Sequence, residues 1–388
     1  MTEPVNGWER DLLSFFFFLG KREDGANNGP ALLLFVISVK EVSVLMMKNR
    51  LVWLAVILLA ATLLAPRLLI WLITWPADTA MGTVPLLNAT ELQTFYHNRT
   101  ALVIGGTAGV GLATALVLAQ SGCAVVTVVG RRAKAGAAAV QRLQSAALDP
   151  VAQEFHYLQG DIGSRRTATQ LVVQLCKQDA SQKTRNGYDF LVVSAGIFPD
   201  WNDDLVNEDG LEKSLAIAVV GRFLLYRNML QGLVDPHQGR VLNILASGMQ
   251  IPYFLQRDMI AGVQRPTNFP QAIINMNTAH ELMLIGLQQQ ALLGPSMRMV
   301  STHPGILASE LHKGQGWAWQ AFFWLAKAVL GMSEQACGVQ QASILASNQL
   351  PTGQVSYVDM FGVGRKRTTL LQPLVEQHLE WLFENVLS

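Results

Sequence analysis

The stretch from Ala101 to Arg132 constrains the fold of this chain more than any other. It reads ALVIGGTAGVGLATALVLAQSGCAVVTVVGRR, which is an apolar strand, a glycine turn, an alanine-rich helix and a second apolar strand. Gly105, Gly109 and Gly111 follow the spacing G-x-x-x-G-x-G. Glycine is required where the backbone passes close to a pyrophosphate, because a Cβ atom would clash there, and the next helix directs its N-terminal N–H groups at the phosphates. The sequence therefore predicts a dinucleotide-binding α/β domain.

Composition argues against two other kinds of ligand. Lys plus Arg number 29 and Asp plus Glu number 28, so the net charge of +1 gives no electrostatic reason to expect nucleic acid as a partner. The seven histidines show no metal-ligand spacing, and we predict no metal site. Cys123, Cys176 and Cys337 lie far apart among apolar residues, which favours reduced and buried thiols.

A second strong feature is the apolar segment from Leu51 to Trp75, interrupted by Pro66 and Arg67. At about 1.5 Å per residue, a helix of this length can cross a hydrocarbon core of roughly 30 Å. A charge at mid-bilayer costs about 2.5–3.5 kcal/mol, although Arg67 lies far enough along the segment to extend toward an interface. The alternatives are an element bent at Pro66 that lies partly among the headgroups, and a buried soluble helix.

We therefore predict a membrane anchor over residues 47–75, in the endoplasmic reticulum or another endomembrane. Lys48 and Arg50 stand directly before the apolar segment, as in a signal anchor. These basic residues favour a cytosolic N-terminus, but Arg67 within the segment and the basic run 365–367 weaken that bias, so the orientation stays open. Residues 1–46 form an N-terminal extension whose place in the mature protein stays open.

Beyond the anchor, residues 76–100 are predicted to be a polar connector with a short helical piece, and residues 101–388 a single NAD(P)-binding domain. In that domain strands alternate with helices, which is typical of a Rossmann-type, doubly wound parallel sheet. Its seven predicted strands are 101–104, 124–129, 154–159, 190–194, 240–245, 297–303 and 355–358. Its predicted helices are 110–120, 133–146, 164–178, 210–233, 270–292, 317–330, 333–346 and 371–385.

Further segments fall in an order and spacing that indicate a family. Asp161 stands in LQGDIGS after the third strand, and residues 193–196 read VSAG after the fourth. Residues 210–225 read GLEKSLAIAVVGRFLL, residues 240–244 read RVLNI, and residues 303–309 read HPGILAS. With the glycine turn, these motifs resemble the short-chain dehydrogenase/reductase superfamily, and its retinol-dehydrogenase-like branch in particular, over about residues 101–387.

The resemblance implies an NAD(P) cofactor. Asp161 would lie near the adenine, and Ser309 would hydrogen-bond the nicotinamide amide, unless Ser309 instead caps a helix ahead of Glu310. The predicted cofactor-binding residues are Gly105, Thr107, Gly109, Val110, Gly111, Arg131, Arg132, Asp161, Ala195, Gly196, Pro304, Gly305 and Ser309.

Arg131 and Arg132 predict which nicotinamide cofactor is preferred. They follow the second strand, where members of the family that prefer NAD carry an acidic residue for the ribose hydroxyls. Two arginines and no acid favour a 2′-phosphate by charge, so we predict NADP(H) over NAD(H). The alternative is a solvated pair of loop residues.

The resemblance also implies a proton relay of Asn, Ser, Tyr and Lys, and here the chain departs from the family. By local spacing these positions fall on Ala218, Ala246, Ile273 and Asn277. Residues 270–292 contain neither tyrosine nor lysine, so a slip of one or two residues does not restore the relay. We therefore expect a degenerate catalytic tetrad.

Substitutes for the relay are few. Ser247, next to Ala246, is the candidate for contact with the substrate oxygen, and Asn277 is a candidate to hydrogen-bond a ribose. Tyr253, in Y-x-x-x-R with Arg257, is either a substitute acid or a packing residue of a loop. His280 is either an acid with a pKa in the useful range or a structural histidine.

Two segments near the C-terminus bear on substrate and assembly. Residues 316–330 read GWAWQAFFWLAKAVL, which favours either a lipophilic substrate pocket that opens toward the membrane or a helix that packs on the core or the membrane. Residues 371–387 are amphipathic and are predicted to pack on the domain or to pair with a second subunit as a homodimer.

Three functions are thus open at the level of sequence. The leading hypothesis is a membrane-anchored, NADP(H)-dependent oxidoreductase acting on a lipophilic carbonyl or alcohol. The alternative is a catalytically inactive dinucleotide-binding sensor or scaffold at the membrane, which the replaced relay favours. A third is an interaction protein that has lost the cofactor as well, against which the intact glycines argue.

Overall fold

A computed structural model of the chain describes residues 80–182, 187–199, 206–245, 269–307, 331–360 and 362–365, with single positions or pairs at 320, 323–324, 327–328 and 380–381. These residues all belong to one compact unit, Leu68–Ser388. The predicted extension and anchor lie outside the described residues, as do most of the aromatic segment and most of the C-terminal helix. Among the helices that are described, none is long and apolar enough to cross a membrane.

A nine-stranded sheet forms the centre of the domain, in the order β1-β11-β10-β7-β6-β5-β2-β3-β4. The seven strands from β10 to β4 run parallel, while β11 and β1 join the β10 edge in antiparallel pairing. A separate parallel pair joins β8 to β9. The strands are β1 (Ala80–Thr83), β2 (Thr100–Ile104), β3 (Val125–Gly130), β4 (Glu154–Gln159), β5 (Phe190–Val193), β6 (Arg240–Ile244), β7 (Arg298–Thr302), β8 (Ile306–Leu307), β9 (Gly331–Met332), β10 (Val355–Val358) and β11 (Val363–Arg365).

Helices follow most of the parallel strands and cover both faces of the sheet. The central one changes character along its length, since a π-helical turn, Ala216–Gly221, joins α5 to α6. The α-helices are α1 (Ala89–Tyr96), α2 (Gly109–Gln120), α3 (Ala133–Ala146), α4 (Arg165–Gln182), α5 (Lys213–Leu215), α6 (Arg222–Met229), α7 (Phe269–Gln289) and α8 (Glu334–Ala346).

The core divides into two clusters, one on each face of the sheet. Along β2, Leu102 and Ile104 belong to one cluster, and Ala101 and Val103 belong to the other. Because successive side chains of a strand point to opposite faces, a strand buried on both faces reads as a continuous apolar run. This explains why the strands of this chain lack the alternation of polar and apolar residues.

The predicted doubly wound parallel sheet is confirmed, with three corrections. Part of the predicted connector 76–100 belongs to the sheet, because Ala80–Thr83 forms a strand that pairs with β11. The predicted helix 210–233 is shorter and contains the π-helical turn. Cys123 and Cys337 are buried free thiols, but Cys176 is exposed because it lies on the outer side of α4.

The register of the sheet brings the predicted site residues to one edge. Ile104 pairs with Val129 of β3 and with Val193 of β5. Val193 pairs in turn with Asn243, and Asn243 with Ser301. The carboxyl ends of β3, β2, β5, β6 and β7 are therefore level, and ligands of open α/β sheets bind outside such ends.

Candidate functional site

The glycine turn between β2 and α2 packs backbone against backbone. Gly105 has a positive φ of 83°, and a Cβ atom on it would lie 2.5 Å from the Ala195 nitrogen. A Cβ atom on Gly111 would lie 2.4 Å from the Gly105 carbonyl oxygen. Contacts this short exclude every side chain, so these two glycines are fixed by geometry as well as by the cofactor they are predicted to bind.

The start of α2 offers unsatisfied donors. Its N-cap residue, Ala108, makes no side-chain hydrogen bond to the first turn, and the N–H groups of Gly109 and Val110 have no backbone acceptor among the described residues. Gly109 has a φ of 56°, and a Cβ atom there would meet nothing within 4 Å. This open space beside free N–H groups and the positive end of the helix dipole fits a pyrophosphate.

Thr107 closes the turn against the neighbouring strand. A Cβ atom on Gly130, the last residue of β3, would lie 2.5 Å from the Thr107 hydroxyl oxygen. The Gly130 carbonyl accepts hydrogen bonds from the Gly160 nitrogen and the Tyr157 hydroxyl, at 3.1 and 2.9 Å. The ends of β2, β3 and β4 are thereby tied together directly beside Arg131.

A cavity of about 230 Å³ opens between the ends of β3 and β4 and the first turns of α4. The Asp161 carboxylate accepts a hydrogen bond from the Gly163 nitrogen at 3.0 Å, and the Gln159 amide donates to the Arg131 carbonyl at 3.1 Å. Both Arg131 and Arg132 are exposed, and neither forms an ion pair in the part of the chain that the structure describes. The cavity is lined by Arg131, Gln159, Gly160, Asp161, Thr167, Gln170, Leu171 and Gln174.

The loop after β5 forms the floor of the glycine turn. The Ala195 nitrogen donates to the Ile104 carbonyl at 3.1 Å, which places the loop directly under Gly105. Gly196 is exposed, and among the described residues a Cβ atom on it would meet only the Leu245 side chain, at 3.9 Å. Ala195 is therefore held by the sheet, whereas Gly196 borders open space.

At the end of β7, Pro304 and Gly305 form a turn of defined geometry. Gly305 has a φ of 77°, and its nitrogen donates to Nδ1 of His303 at 3.1 Å. Burial lowers the pKa of His303 to about 4, against a smaller opposing effect of Asp359. The ring is thus neutral near pH 7, as its role of acceptor from Gly305 requires.

A buried polar network, which the sequence did not reveal, lies between β6, α6 and α7. The Asn243 side-chain oxygen accepts hydrogen bonds from the Arg222 guanidinium and from the Tyr226 hydroxyl, and it lies 3.1 Å from Nε2 of His280. The Asn243 amide nitrogen donates to the Ser301 hydroxyl at 3.0 Å. The available signal was a lone arginine in the apolar run AIAVVGRFLL and a lone asparagine in a buried strand.

His280 belongs to this network and is structural. An amide oxygen only accepts, so the contact with Asn243 assigns the ring proton to Nε2. Burial and the nearby charge of Arg222 hold the pKa of His280 well below its usual value. Of the two interpretations of His280, the structure supports the structural histidine.

The comparisons with known proteins agree with the sheet and its glycine turn. A sequence model of the short chain dehydrogenase family matches residues 99–257. Polyprenol dehydrogenase of Mus musculus is 27% identical over 223 residues, which cover 56% of this chain and 63% of that protein. Human retinol dehydrogenase 13 is 24% identical over 220 residues, covering 56% of this chain and 62% of that protein. Over these residues the chain is similar to the short-chain dehydrogenase/reductase superfamily.

These similar proteins agree with the retinol-dehydrogenase-like branch that the motifs indicated. The chain spans less than two thirds of the length of either curated relative named above. A crystal structure of a dehydrogenase/reductase from Sinorhizobium meliloti has a TM-score of 0.50 at 19% identity, and the match covers 71% of this chain and 99% of that one. At this identity the likeness concerns the fold alone.

The relay positions that the resemblance implies lie partly within the described residues. Ile273 and Asn277 are buried one turn apart on α7, and Ala218 is buried in the π-helical turn. Among the described residues, neither amide atom of the buried Asn277 side chain has a hydrogen-bond partner. Ser247, Tyr253 and Ser309 lie outside the described residues, and their predicted roles stay predictions.

One aromatic contact connects the segment 316–330 to the same edge of the sheet. The rings of Phe198, in the loop after β5, and Phe323 stack with centroids 5.9 Å apart. Phe323 packs against the core, whereas Trp324 beside it is exposed. Within the described ranges no group of three His, Cys, Asp or Glu residues is placed to hold a metal ion.

Proposed function

We propose that this protein is an oxidoreductase of the short-chain dehydrogenase type, which binds NADP(H) in preference to NAD(H) and acts on a lipophilic carbonyl or alcohol. The observation that carries the proposal is the turn at Gly105 and Gly111, where added Cβ atoms would lie 2.5 and 2.4 Å from backbone atoms. With the uncapped start of α2 and the open space at Gly109, it forms a cradle that fits a pyrophosphate. When bound, the nicotinamide accepts or supplies a hydride.

Preference for the 2′-phosphate is supported by the charges at the end of β3. Arg131 borders the cavity and Arg132 precedes α3, and neither guanidinium is engaged by a carboxylate of the described residues. Asp161 is the one carboxylate among the cavity-lining residues, and it already accepts a hydrogen bond from Gly163. A guanidinium free of competing anions forms strong, paired hydrogen bonds with phosphate oxygens.

A lipophilic substrate is supported by the aromatic pair at the carboxyl edge. Phe198 and Phe323 place apolar surface beside the loop that carries Ala195, where a substrate would meet a bound nicotinamide. The curated relatives are named for polyprenol and retinol, which are both long apolar alcohols. The predicted anchor, residues 47–75, would keep the enzyme at the membrane where such substrates dissolve.

Proton transfer in this chain differs from that of its family and is expected to be slow. A positioned general acid contributes about 10²–10⁴-fold to the rate, and α7 contains no tyrosine or lysine to provide it. Holding two reactants together still lowers the barrier by several kcal/mol. We propose that Ser247 orients the substrate oxygen and that Asn277 holds the ribose. Tyr253 would then donate the proton.

The second candidate is a catalytically silent sensor or scaffold that binds the dinucleotide. The observation in its favour is that Ile273, at the tyrosine position of α7, is an apolar and buried side chain. Titration of the purified full-length protein with NADPH and NADH, followed by absorbance at the nicotinamide band with isoprenoid and long-chain aldehydes, separates the candidates. Binding with turnover supports the oxidoreductase, binding without turnover the sensor, and absence of binding contradicts both.

Arg131→Gln tests the preference between the two cofactors. Loss of one charge-assisted contact is expected to weaken NADPH binding by roughly 10- to 100-fold while leaving NADH binding nearly unchanged. Arg142→Gln is the matched control, since Arg142 is also exposed and pairs with Glu334 on the surface. Equal losses for NADPH and NADH would contradict the assignment of Arg131 to the 2′-phosphate.

Ser247→Ala and Tyr253→Phe test the two predicted proton-relay substitutes. Each variant should lower kcat by at least about tenfold while cofactor affinity stays the same, because both residues would act on the substrate oxygen. Unchanged turnover in either variant removes that residue from the mechanism.

A further inference from the structure

Arg222 is the largest fully buried side chain among the described residues, and it lies at the carboxyl edge of the sheet. It follows the π-helical turn Ala216–Gly221 directly. That turn packs so closely on the loop after β4 that a Cβ atom on Gly221 would lie 2.1 Å from the Ile162 carbonyl oxygen. Close packing therefore fixes the backbone that carries Arg222.

Among the described residues, the hydrogen-bond acceptors of the Arg222 guanidinium are all neutral oxygens. Within the described ranges no carboxylate lies within ion-pair distance of it. It donates to the Asn243 side-chain oxygen, to the Ala195 carbonyl at 2.8 Å and to the Ile244 carbonyl at 2.9 Å. Burial lowers the pKa of Arg222, yet arginine remains charged in proteins. A buried charge without a counter-ion is costly, which points to a role other than stabilising the fold.

The three acceptors identify that role. Ala195 belongs to the loop that lies under Gly105, and its nitrogen is bonded to Ile104 at the end of β2. Ile244 is the last residue of β6, so it precedes the segment that contains Ser247. A single side chain thus connects the loop under the predicted pyrophosphate site with the strand end that leads to the predicted substrate site.

We propose that Arg222 is a positioning residue, whose guanidinium holds the Ala195–Gly196 loop against the glycine turn and so keeps the dinucleotide pocket in its binding shape. The inference rests on the proposed function, because it assigns a role in cofactor binding. Arg222 itself is buried beneath the loop and acts through the Ala195 carbonyl.

The guanidinium is the chemical group that this position requires. Its planar fork donates from two nitrogens in fixed directions, which allows it to bridge the Ala195 carbonyl, the Ile244 carbonyl and the Asn243 oxygen together. A lysine keeps the charge but presents a single ammonium group. Arg222→Lys therefore preserves burial and charge and removes the bridge.

Arg240 provides a matched control at the opposite end of the same strand. It is the first residue of β6 and is also buried. Its guanidinium donates to the Leu345 and Ser347 carbonyls at 3.1 and 2.9 Å and to the Asn348 side chain at 2.6 Å. The two arginines thus share burial and acceptor type, but only Arg222 contacts the predicted cofactor loop.

The experiment compares Arg222→Lys, Arg240→Lys and the unaltered full-length protein. NADPH affinity is measured by quenching of intrinsic fluorescence, and stability by the thermal midpoint without ligand. Both variants are expected to lower the midpoint, because each loses buried hydrogen bonds. Only Arg222→Lys is expected to weaken NADPH binding, because only Arg222 contacts the predicted cofactor loop. We expect a loss of about tenfold in affinity, which corresponds to about 1.4 kcal/mol.

The other possible results overturn either the role of Arg222 or the proposed function. Unchanged NADPH affinity in folded Arg222→Lys, or an equal loss in both variants, overturns the proposal. If Arg222→Lys does not fold, Arg222→Gln replaces it, and failure of both while Arg240→Lys folds shows a general folding role and also overturns the proposal. If the unaltered protein binds neither NADPH nor NADH, the proposed function has failed, which is a different outcome from a selective loss in the variant.

Discussion

Two parts of the same sheet edge differ in how they are built. Around β2, β3 and β4 the chain is shaped by glycines, since added Cβ atoms on Gly105, Gly111 and Gly130 would all lie within 2.5 Å of other atoms. Around β6, α6 and α7 the space is filled by polar side chains that bond to one another through Asn243. The first region is a backbone cradle, and the second is a closed side-chain network.

The difference shows that the first region is suited to cofactor binding, whereas the second is not suited to proton transfer. The cradle needs only backbone N–H groups and positions without side chains, and the glycine turn provides both. The network is bonded mainly within itself and to backbone carbonyls. Its titratable groups are held away from neutral pH, since burial lowers the pKa of His280 and raises that of Tyr226. Neither group is therefore suited to exchange protons with a substrate near pH 7.

The largest expected effect concerns the cradle. Gly105→Ala places a Cβ atom 2.5 Å from the Ala195 nitrogen, at a φ of 83° that costs an L residue about 1–2 kcal/mol by itself. We expect NADPH binding to become undetectable and the free energy of unfolding to fall by at least about 2 kcal/mol. Calorimetric titration and urea unfolding measure the two effects.

Gly232→Ala is the control for this prediction. Gly232 lies in the turn after α6, where a Cβ atom would meet nothing within 4 Å and φ is not positive. It should leave NADPH affinity unchanged and stability within about 0.5 kcal/mol. A Gly105→Ala protein that binds NADPH normally would show that the turn is not a cofactor cradle.

A smaller effect is expected from acid, which should act on His303 in the turn after β7 and on His280 in the second region. The pKa of His303 is about 4 in the folded protein and about 6.5 when unfolded, so the unfolded chain binds the proton more readily. Stability is then complete above about pH 6.5 and is lost as the pH falls toward 4. Between pH 7 and pH 5 the loss from His303 is about 2 kcal/mol. His280, whose pKa is also lowered, contributes with the same sign.

His303→Asn isolates that contribution, because an asparagine oxygen accepts the Gly305 N–H without titrating. Urea unfolding at pH 7 and pH 5 should show a smaller loss of stability on acidification in the variant than in the unaltered protein. Equal losses in the two proteins would mean that the His303 ring is not kept neutral by its surroundings.

Most of the fold followed from sequence because its signals are local. The seven parallel strands were predicted to within about two residues, since apolar runs between helices are continuous when both faces are covered. Ala80–Thr83 was missed because a strand of four residues, AMGT, carries almost no pattern and is set by its partner β11. The π-helical turn was missed because AIAVVG reads as ordinary helix.

The candidate site also has one part that could be predicted from the sequence and one part that could not. The glycine turn was predictable because its chemistry demands glycine at fixed spacing. The role of Arg222 was not, because it depends on oxygens of Ala195, Asn243 and Ile244 that come together only in the folded sheet. Long-range side-chain contacts of this kind leave no periodic trace in a sequence.

The smallest expected effect tests whether Asn277 belongs to binding or to structure. Its amide is buried and has no hydrogen-bond partner among the residues that the structure describes, and an unsatisfied buried amide costs stability. Asn277→Leu should therefore keep the free energy of unfolding within about 1 kcal/mol of the original value or raise it. If Asn277 binds the ribose, the same variant should bind NADPH about 3- to 10-fold more weakly.

Asn243→Leu is the matched control, since it makes the same substitution at a buried asparagine whose amide is fully engaged. It leaves Arg222, Tyr226 and His280 without their common acceptor, so we expect a loss of at least about 3 kcal/mol in stability. A large loss of stability in Asn277→Leu as well, with unchanged NADPH affinity, would assign Asn277 to the closed network. The relay position would then have passed from chemistry to structure, and the silent dinucleotide-binding function would be favoured over the oxidoreductase.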